Sequence, residues 1–135
     1  MKLSEMKVGD TATFRKTVTE GDVYAYAGIS GDQNPVHIDK VYGEQSQFGS
    51  RIAHGMFTAS FISTLVGMYL PGPGSIYMSQ ELRFTAPVRF GDTIEAKAEI
   101  IEIIAEKKRV ILSTTCTNQE GVVVVSGKAT MYVPQ

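Results

Sequence analysis

Gly55-Met56-Phe57-Thr58-Ala59-Ser60-Phe61-Ile62-Ser63-Thr64-Leu65-Val66-Gly67-Met68-Tyr69 is the stretch on which the fold turns. Met56, Phe57, Phe61, Leu65, Met68 and Tyr69 fall at steps of three and four, the period of an α-helix. Ala59, Ile62 and Val66 widen the apolar stripe until it nearly encircles the helix. A helix of that kind belongs in the middle of a fold. Pro71-Gly72-Pro73-Gly74 stops it. The apolar-rich run 57–70 is interrupted by Thr58, Ser60, Ser63 and Thr64. It is shorter than the ~20 residues a membrane crossing needs, so it reads as core.

Downstream of this helix the sequence is strands. Residues 76–87 form the first candidate. In 92–105, Ile94, Ala96, Ala98 and Ile100 alternate with Thr93, Glu95, Lys97 and Glu99, the period of a half-buried strand. Residues 109–118 and 121–133 complete a meander, joined by a tight turn at Asn118-Gln119-Glu120-Gly121. The run 122–125 lacks alternation, which predicts a strand covered on both faces. Lys107, Lys108 and Arg109 read as a solvated hairpin turn.

Upstream, Ala12, Phe14 and Lys16 alternate with Thr13, Arg15 and Thr17, predicting a strand over 11–18. Thr19-Glu-Gly-Asp22 then has the form of a helix capping box. Val23, Tyr24, Ala27 and Tyr26 supply that helix's apolar face, and Gly28, Ser30 and Gly31 end it. Residues 30–54 carry Gly31, Asn34-Pro35, Gly43 and Gly49 and read as a long irregular segment, with one helical turn near 39–47. Connections of that length inside a compact domain usually serve function.

These elements predict one α+β domain over residues 1–135, an antiparallel sheet wrapped around a central buried helix. A sheet this apolar in so small a chain implies a covered outer face or edge, hence a homodimer. The net charge of −1 and the lack of a basic patch interleaved with aromatics exclude a nucleic-acid partner. Neither a leader nor a membrane segment is read, and the single cysteine, Cys116, suits a reducing cytoplasm. Its neighbours alternate as in a strand, so Cys116 is expected to be a buried structural thiol.

The chemistry concentrates in Ser30-Gly-Asp-Gln-Asn-Pro-Val-His37 and Ile52-Ala-His-Gly-Met56. Pro35 stiffens the loop between Asp32 and His37 and drives Asn34 toward an extended or turn conformation. A carboxylate beside an imidazole can hold a water, withdraw a proton from it and deliver another. Gly55 opens the buried helix, where unpaired N–H groups and the positive helix end suit a developing oxyanion. Such parts suit addition of water to an α,β-unsaturated thioester. His54 is expected to satisfy backbone groups at the helix entry, Ser63 either to face the site or to bond back to a carbonyl, and Tyr24, Tyr26 and Phe48 to pack. Asp32, His37, His54 and Cys116 show none of the spacings of a metal site, so no metal is expected.

Gly31-Asp32-x-Asn34-Pro35-x-His37 followed by Ile52-Ala-His-Gly-Met56 resembles the MaoC-like, (R)-specific enoyl-CoA hydratase (hydratase 2) family. The similarity extends through residues 71–77 and Phe84-x-x-Pro87-Val88-x-x-Gly91-Asp92, nearly the whole chain. It implies a hot-dog fold and a homodimer with acyl-CoA bound near the subunit interface. It implies Asp32 and His37 as the catalytic pair, Asn34 supporting the loop or the water, and the Gly55 N–H binding the thioester oxygen. Ser63 matches a serine that supports the site in bacterial relatives. The expected reaction interconverts trans-2-enoyl-CoA and (R)-3-hydroxyacyl-CoA with no bound cofactor, the CoA thioester being the substrate. Three alternatives stand beside it: an acyl-carrier-protein dehydratase, a thioesterase and a non-catalytic acyl-CoA-binding module.

Overall fold

The computed structural model describes residues 1–135. The first alternating segment forms strand β1, Thr11–Thr17, with Ala12 and Phe14 turned toward the core. Thr19 closes its capping box with Asp22, each side chain accepting from the other's backbone N–H, and starts helix α1, Glu20–Ser30. Two short helices follow, α2 over Pro35–Ile38 and α3 over Lys40–Gln45. Then comes α4, Gly55–Met68, and four strands: β2 (Ile76–Phe84), β3 (Thr93–Ile104), β4 (Arg109–Thr117) and β5 (Val123–Tyr132).

The five strands form one antiparallel sheet in the order β1-β3-β4-β5-β2, with α4 packed against it. This is the hot-dog architecture that the resemblance implies. Ile94, Ala96, Ala98 and Ile100 of β3 and Val110, Leu112 and Cys116 of β4 face inward and are fully buried. They meet Phe61, Ile62, Leu65 and Val66 of α4 in one hydrophobic cluster. The alanines at 96 and 98 leave room for the helix to lie close to β3. Cys116 is the buried thiol expected of it, and burial pushes it up to about 12. No helix is long and apolar enough to cross a membrane.

Four expectations need correction. Residues 30–54 hold two helical pieces rather than one, because Asn34 and Asp39 each cap a separate turn. Tyr24 is not on the buried face of α1; its ring lies outside and its hydroxyl donates to the Ile38 carbonyl. In the run 122–125 only Val124 and Val125 are buried, while Val122 and Val123 are exposed where the strand enters from its turn. Helix α4 is covered on one side only, leaving Met56, Ser60, Ser63, Gly67 and Met68 exposed. Period reveals an apolar surface but not which chain covers it.

Gly127 lies where β5 passes between β2 and β4. A Cβ at this position would sit 1.7 Å from the Glu81 carbonyl oxygen and 2.6 Å from its carbon, both backbone atoms. Gly127→Ala is therefore expected to push β2 off the sheet and to destabilise the protein by about 2 kcal/mol or more. Chemical denaturation checks this, and an unchanged midpoint would show that the two strands can part without loss.

Candidate active site

Three side chains spaced two residues apart build the loop after α1. Gly31, in the left-handed region at φ +81°, turns the chain out of the helix. The Ser30 hydroxyl then accepts from the Asp32 N–H at 3.1 Å, Asp32 Oδ1 from the Asn34 N–H at 3.2 Å, and Asn34 Oδ1 from the Val36 N–H at 3.3 Å. Each oxygen-bearing side chain thus satisfies the amide two places on, the Asx-turn habit of these residue types. Pro35 occupies the first position of α2, where a missing N–H costs nothing. The alternation of Ser, Asp and Asn, followed by Pro and His, is the local rule that delivers His37.

His37 is buried, and its Nδ1–H donates to the Ile52 carbonyl at 2.7 Å. That bond fixes the neutral tautomer with an open lone pair on Nε2. Ile52 is itself held by its N–H to the Val36 carbonyl at 3.1 Å, and Ala53 by its N–H to the Val88 carbonyl at 2.8 Å. His54 follows as the residue that opens α4. Its Nε2–H donates to the Asp32 main-chain carbonyl at 2.8 Å, and its ring stacks on His37 with centroids 3.8 Å apart at 25°. The expectation that His54 satisfies backbone groups at the helix entry is corrected: the ring makes no bond to α4 and serves a carbonyl 22 residues away, inside the site loop. Sequence distance gave no signal for that contact.

A carboxylate oxygen of Asp32 and ring nitrogens of His37 and His54 lie within 4.8 Å of one another, a separation one water can span. Asp32 is exposed and keeps one oxygen free of the loop's own bonds. Burial is the largest influence on His37 and holds its imidazole below the ordinary 6.5. The Ile52 carbonyl opposes that shift, the neighbouring His54 adds to it and the Asp32 charge opposes it. The same three side chains are not laid out as a metal centre. Imidazole lone pairs lie in the ring plane, so two stacked rings cannot both aim at one ion at the ~2.1 Å distance of a metal–nitrogen bond. Cys116, on β4, lies against the Thr58 carbonyl and outside this cluster.

The amides of Gly55 and Met56 open α4 and make no hydrogen bond within the chain. The helix start lies close under Phe84, since a Cβ at Gly55 would stand 2.6 Å from Cδ1 of that half-exposed ring, which would have to swing aside. Phe84 was not singled out from sequence, where only its place in the Phe84-x-x-Pro87 stretch marked it. Two apolar cavities border this helix start. One, of about 320 Å³, is lined by Gly55, Thr58, Phe48, Phe84 and Val125 among others. The other, of about 410 Å³, is lined by Tyr26, Met56, Ala59, Ser63, Tyr77 and Leu82 among others. Ser63 lines the second of these, about 12 Å along the helix from Gly55. It is exposed and makes no back-bond to a carbonyl. Tyr26 packs its ring against His54 and Phe57, as expected of a packing residue, and also walls the second cavity.

The loop ladder makes a direct prediction for Asn34. Asn34→Ala removes the cap of α2 and should cost about 1 kcal/mol in a denaturation midpoint, whereas Asn34→Asp, which keeps the acceptor, should recover most of it.

The model of the MaoC like domain matches residues 5–122. The chain is 48% identical over 130 residues to an (R)-specific enoyl-CoA hydratase from Rhodospirillum rubrum, covering 96% of this chain and 90% of that protein. It is 44% identical over 131 residues to a 3-hydroxybutyryl-CoA dehydratase from Methylorubrum extorquens, covering 97% and 83%. Among solved structures it resembles the unliganded R-hydratase PhaJ1 from Pseudomonas aeruginosa, with a TM-score of 0.95, 42% identity and coverage of 99% and 86%. A sheet folded around α4, the Asp32–His37 loop and this similarity over nearly the whole length lead to one conclusion: the chain belongs to the MaoC-like domain family.

Proposed function

We propose that the protein is an (R)-specific enoyl-CoA hydratase that reversibly adds water to trans-2-enoyl-CoA to give (R)-3-hydroxyacyl-CoA. The observation that carries this reading is the Asp32 carboxylate beside a His37 whose Nδ1–H is committed to Ile52 and whose Nε2 is open. The pair holds one water between them. His37 takes a proton from this water at Nε2 as the hydroxyl adds to C3. The imidazolium so formed gives that proton to C2, so one water is added across the double bond and His37 returns to its neutral form. Negative charge that develops on the thioester oxygen is met by the Gly55 N–H at the start of α4, where the helix end adds its partial positive charge. Every group needed is a side chain or amide of the chain, so no cofactor is assigned and the acyl-CoA is the substrate. Asn34 acts by holding the loop, and Ser63 acts on the substrate from the wall of the neighbouring cavity.

The working unit is a homodimer, in a cytoplasmic setting. Strand β2 is a sheet edge with Ile76, Tyr77, Met78 and Phe84 exposed, and the bare side of α4 adds Met56 and Met68. Apolar edge strands are normally covered. Light scattering on a sizing column should give twice the mass of one chain, and a monomer would refute this.

Asp32→Asn and His37→Ala, each still folded, should lower kcat for crotonyl-CoA hydration by about 100-fold or more. Near-normal turnover in either would remove that residue from the mechanism. Accepting a proton at Nε2 requires neutral His37. Because burial lowers its pKa, the neutral form persists to more acid pH than an ordinary imidazole's 6.5 allows. The acid limb of kcat/KM should therefore have its midpoint below 6.5. A midpoint above that value would contradict the role of buried His37 as the proton acceptor.

A further inference from the structure

We propose that His54 is a positioning residue for the Asp32–His37 pair, one imidazole that fixes both partners relative to the start of α4; this rests on the reading of that pair as the working groups. The hydrogen bond from Nε2–H to the Asp32 carbonyl holds the backbone from which the carboxylate projects. The face of the same ring lies against His37, with centroids 3.8 Å apart and planes 25° from parallel. His54 is 2% exposed, and the edge-on ring of Tyr26, at 4.8 Å and 62°, closes its surroundings.

Neither contact is needed to build the helix. The His54 side chain makes no capping bond to α4, and the His54 carbonyl, which receives the Phe57 and Thr58 amides, would be present with any residue. Nδ1 is buried and has no partner, so the ring's polar contacts reduce to the single bond it gives the Asp32 loop. A histidine present only to fill space would leave the pair's geometry indifferent to its donor. Here the one donor and the one open face go to the two residues whose separation the reaction depends on. His54 and Gly55 are also chain neighbours, so the same ring ties the pair to the amides that meet the thioester oxygen. Displacement of about 1 Å in such a constellation can cost about 100-fold in rate.

Three variants separate positioning from packing. His54→Phe keeps an aromatic face for His37 and loses the donor, His54→Gln keeps an N–H donor and loses the face, and His54→Ala loses both. Kinetics with crotonyl-CoA should show kcat down about 100-fold in the alanine variant with KM within about two-fold, and the other two between alanine and wild type. Wild-type kcat in both the alanine and phenylalanine variants, a loss confined to KM, or a loss that neither replacement relieves would overturn the proposal. Should the alanine variant fail to fold, the other two decide. Reduced kcat at unchanged KM supports positioning, and wild-type kcat in both refutes it. His37→Ala measured alongside keeps the two claims apart. An active His37→Ala refutes the reading of the pair, whereas an inactive one beside fully active His54 variants refutes only this inference.

Discussion

The burial of α4 against the sheet is the constraint to which every part of the site is referred. Phe61, Ile62, Leu65 and Val66 are almost wholly withdrawn from water, and burying a side chain of that size contributes about 1.5–3 kcal/mol. The axial position and rotation of the helix are thereby set, and with them the places of His54 and the free amides of Gly55 and Met56. The constraint passes outward through backbone bonds. Val88 holds Ala53, Val36 is bonded to Ile52, and the Ile52 carbonyl fixes the tautomer and direction of His37. A catalytic loop hung from a packed core in this way keeps its geometry better than one resting on loop contacts alone.

The loop's own sequence does the remainder. Ser30, Asp32 and Asn34 each close a two-residue turn, so the stretch stays ordered without belonging to a regular element. Burial then sets the chemistry. His37 is shielded enough to stay neutral below the usual range of an imidazole, while Asp32 faces outward at the water side of the pair.

Much of this was legible in the sequence because the relevant signals are local. Alternation located β1, β3 and β4, the turn at Asn118–Gly121 marked off β5, the three-and-four spacing located α4, and Thr19 with Asp22 announced α1. The spacing from Asp32 to His37 brought both residues to one site, although only Asp32 stays on the loop and His37 belongs to α2. What was missed depends on contacts between distant segments. His54 reaches Asp32 across 22 positions, and Phe84 fills the space over Gly55 from the far end of β2. The bare side of α4 was read as buried because hydropathy marks an apolar residue without saying whether its own chain covers it. The short helix at His37 escaped notice because a four-residue turn carries no period, only a capping asparagine and a proline.

A fold does not by itself fix a reaction, so hydration, thioester hydrolysis and mere binding must be told apart by the product. The most direct measurement is the ultraviolet absorbance of crotonyl-CoA mixed with the purified protein, with a thiol-reactive dye in a parallel well and chiral analysis of the product. Loss of the enoyl chromophore without thiol release, giving the (R)-3-hydroxy product, is the expected result. Release of free thiol, or the (S) product, would contradict the assignment of water addition to the Asp32–His37 pair.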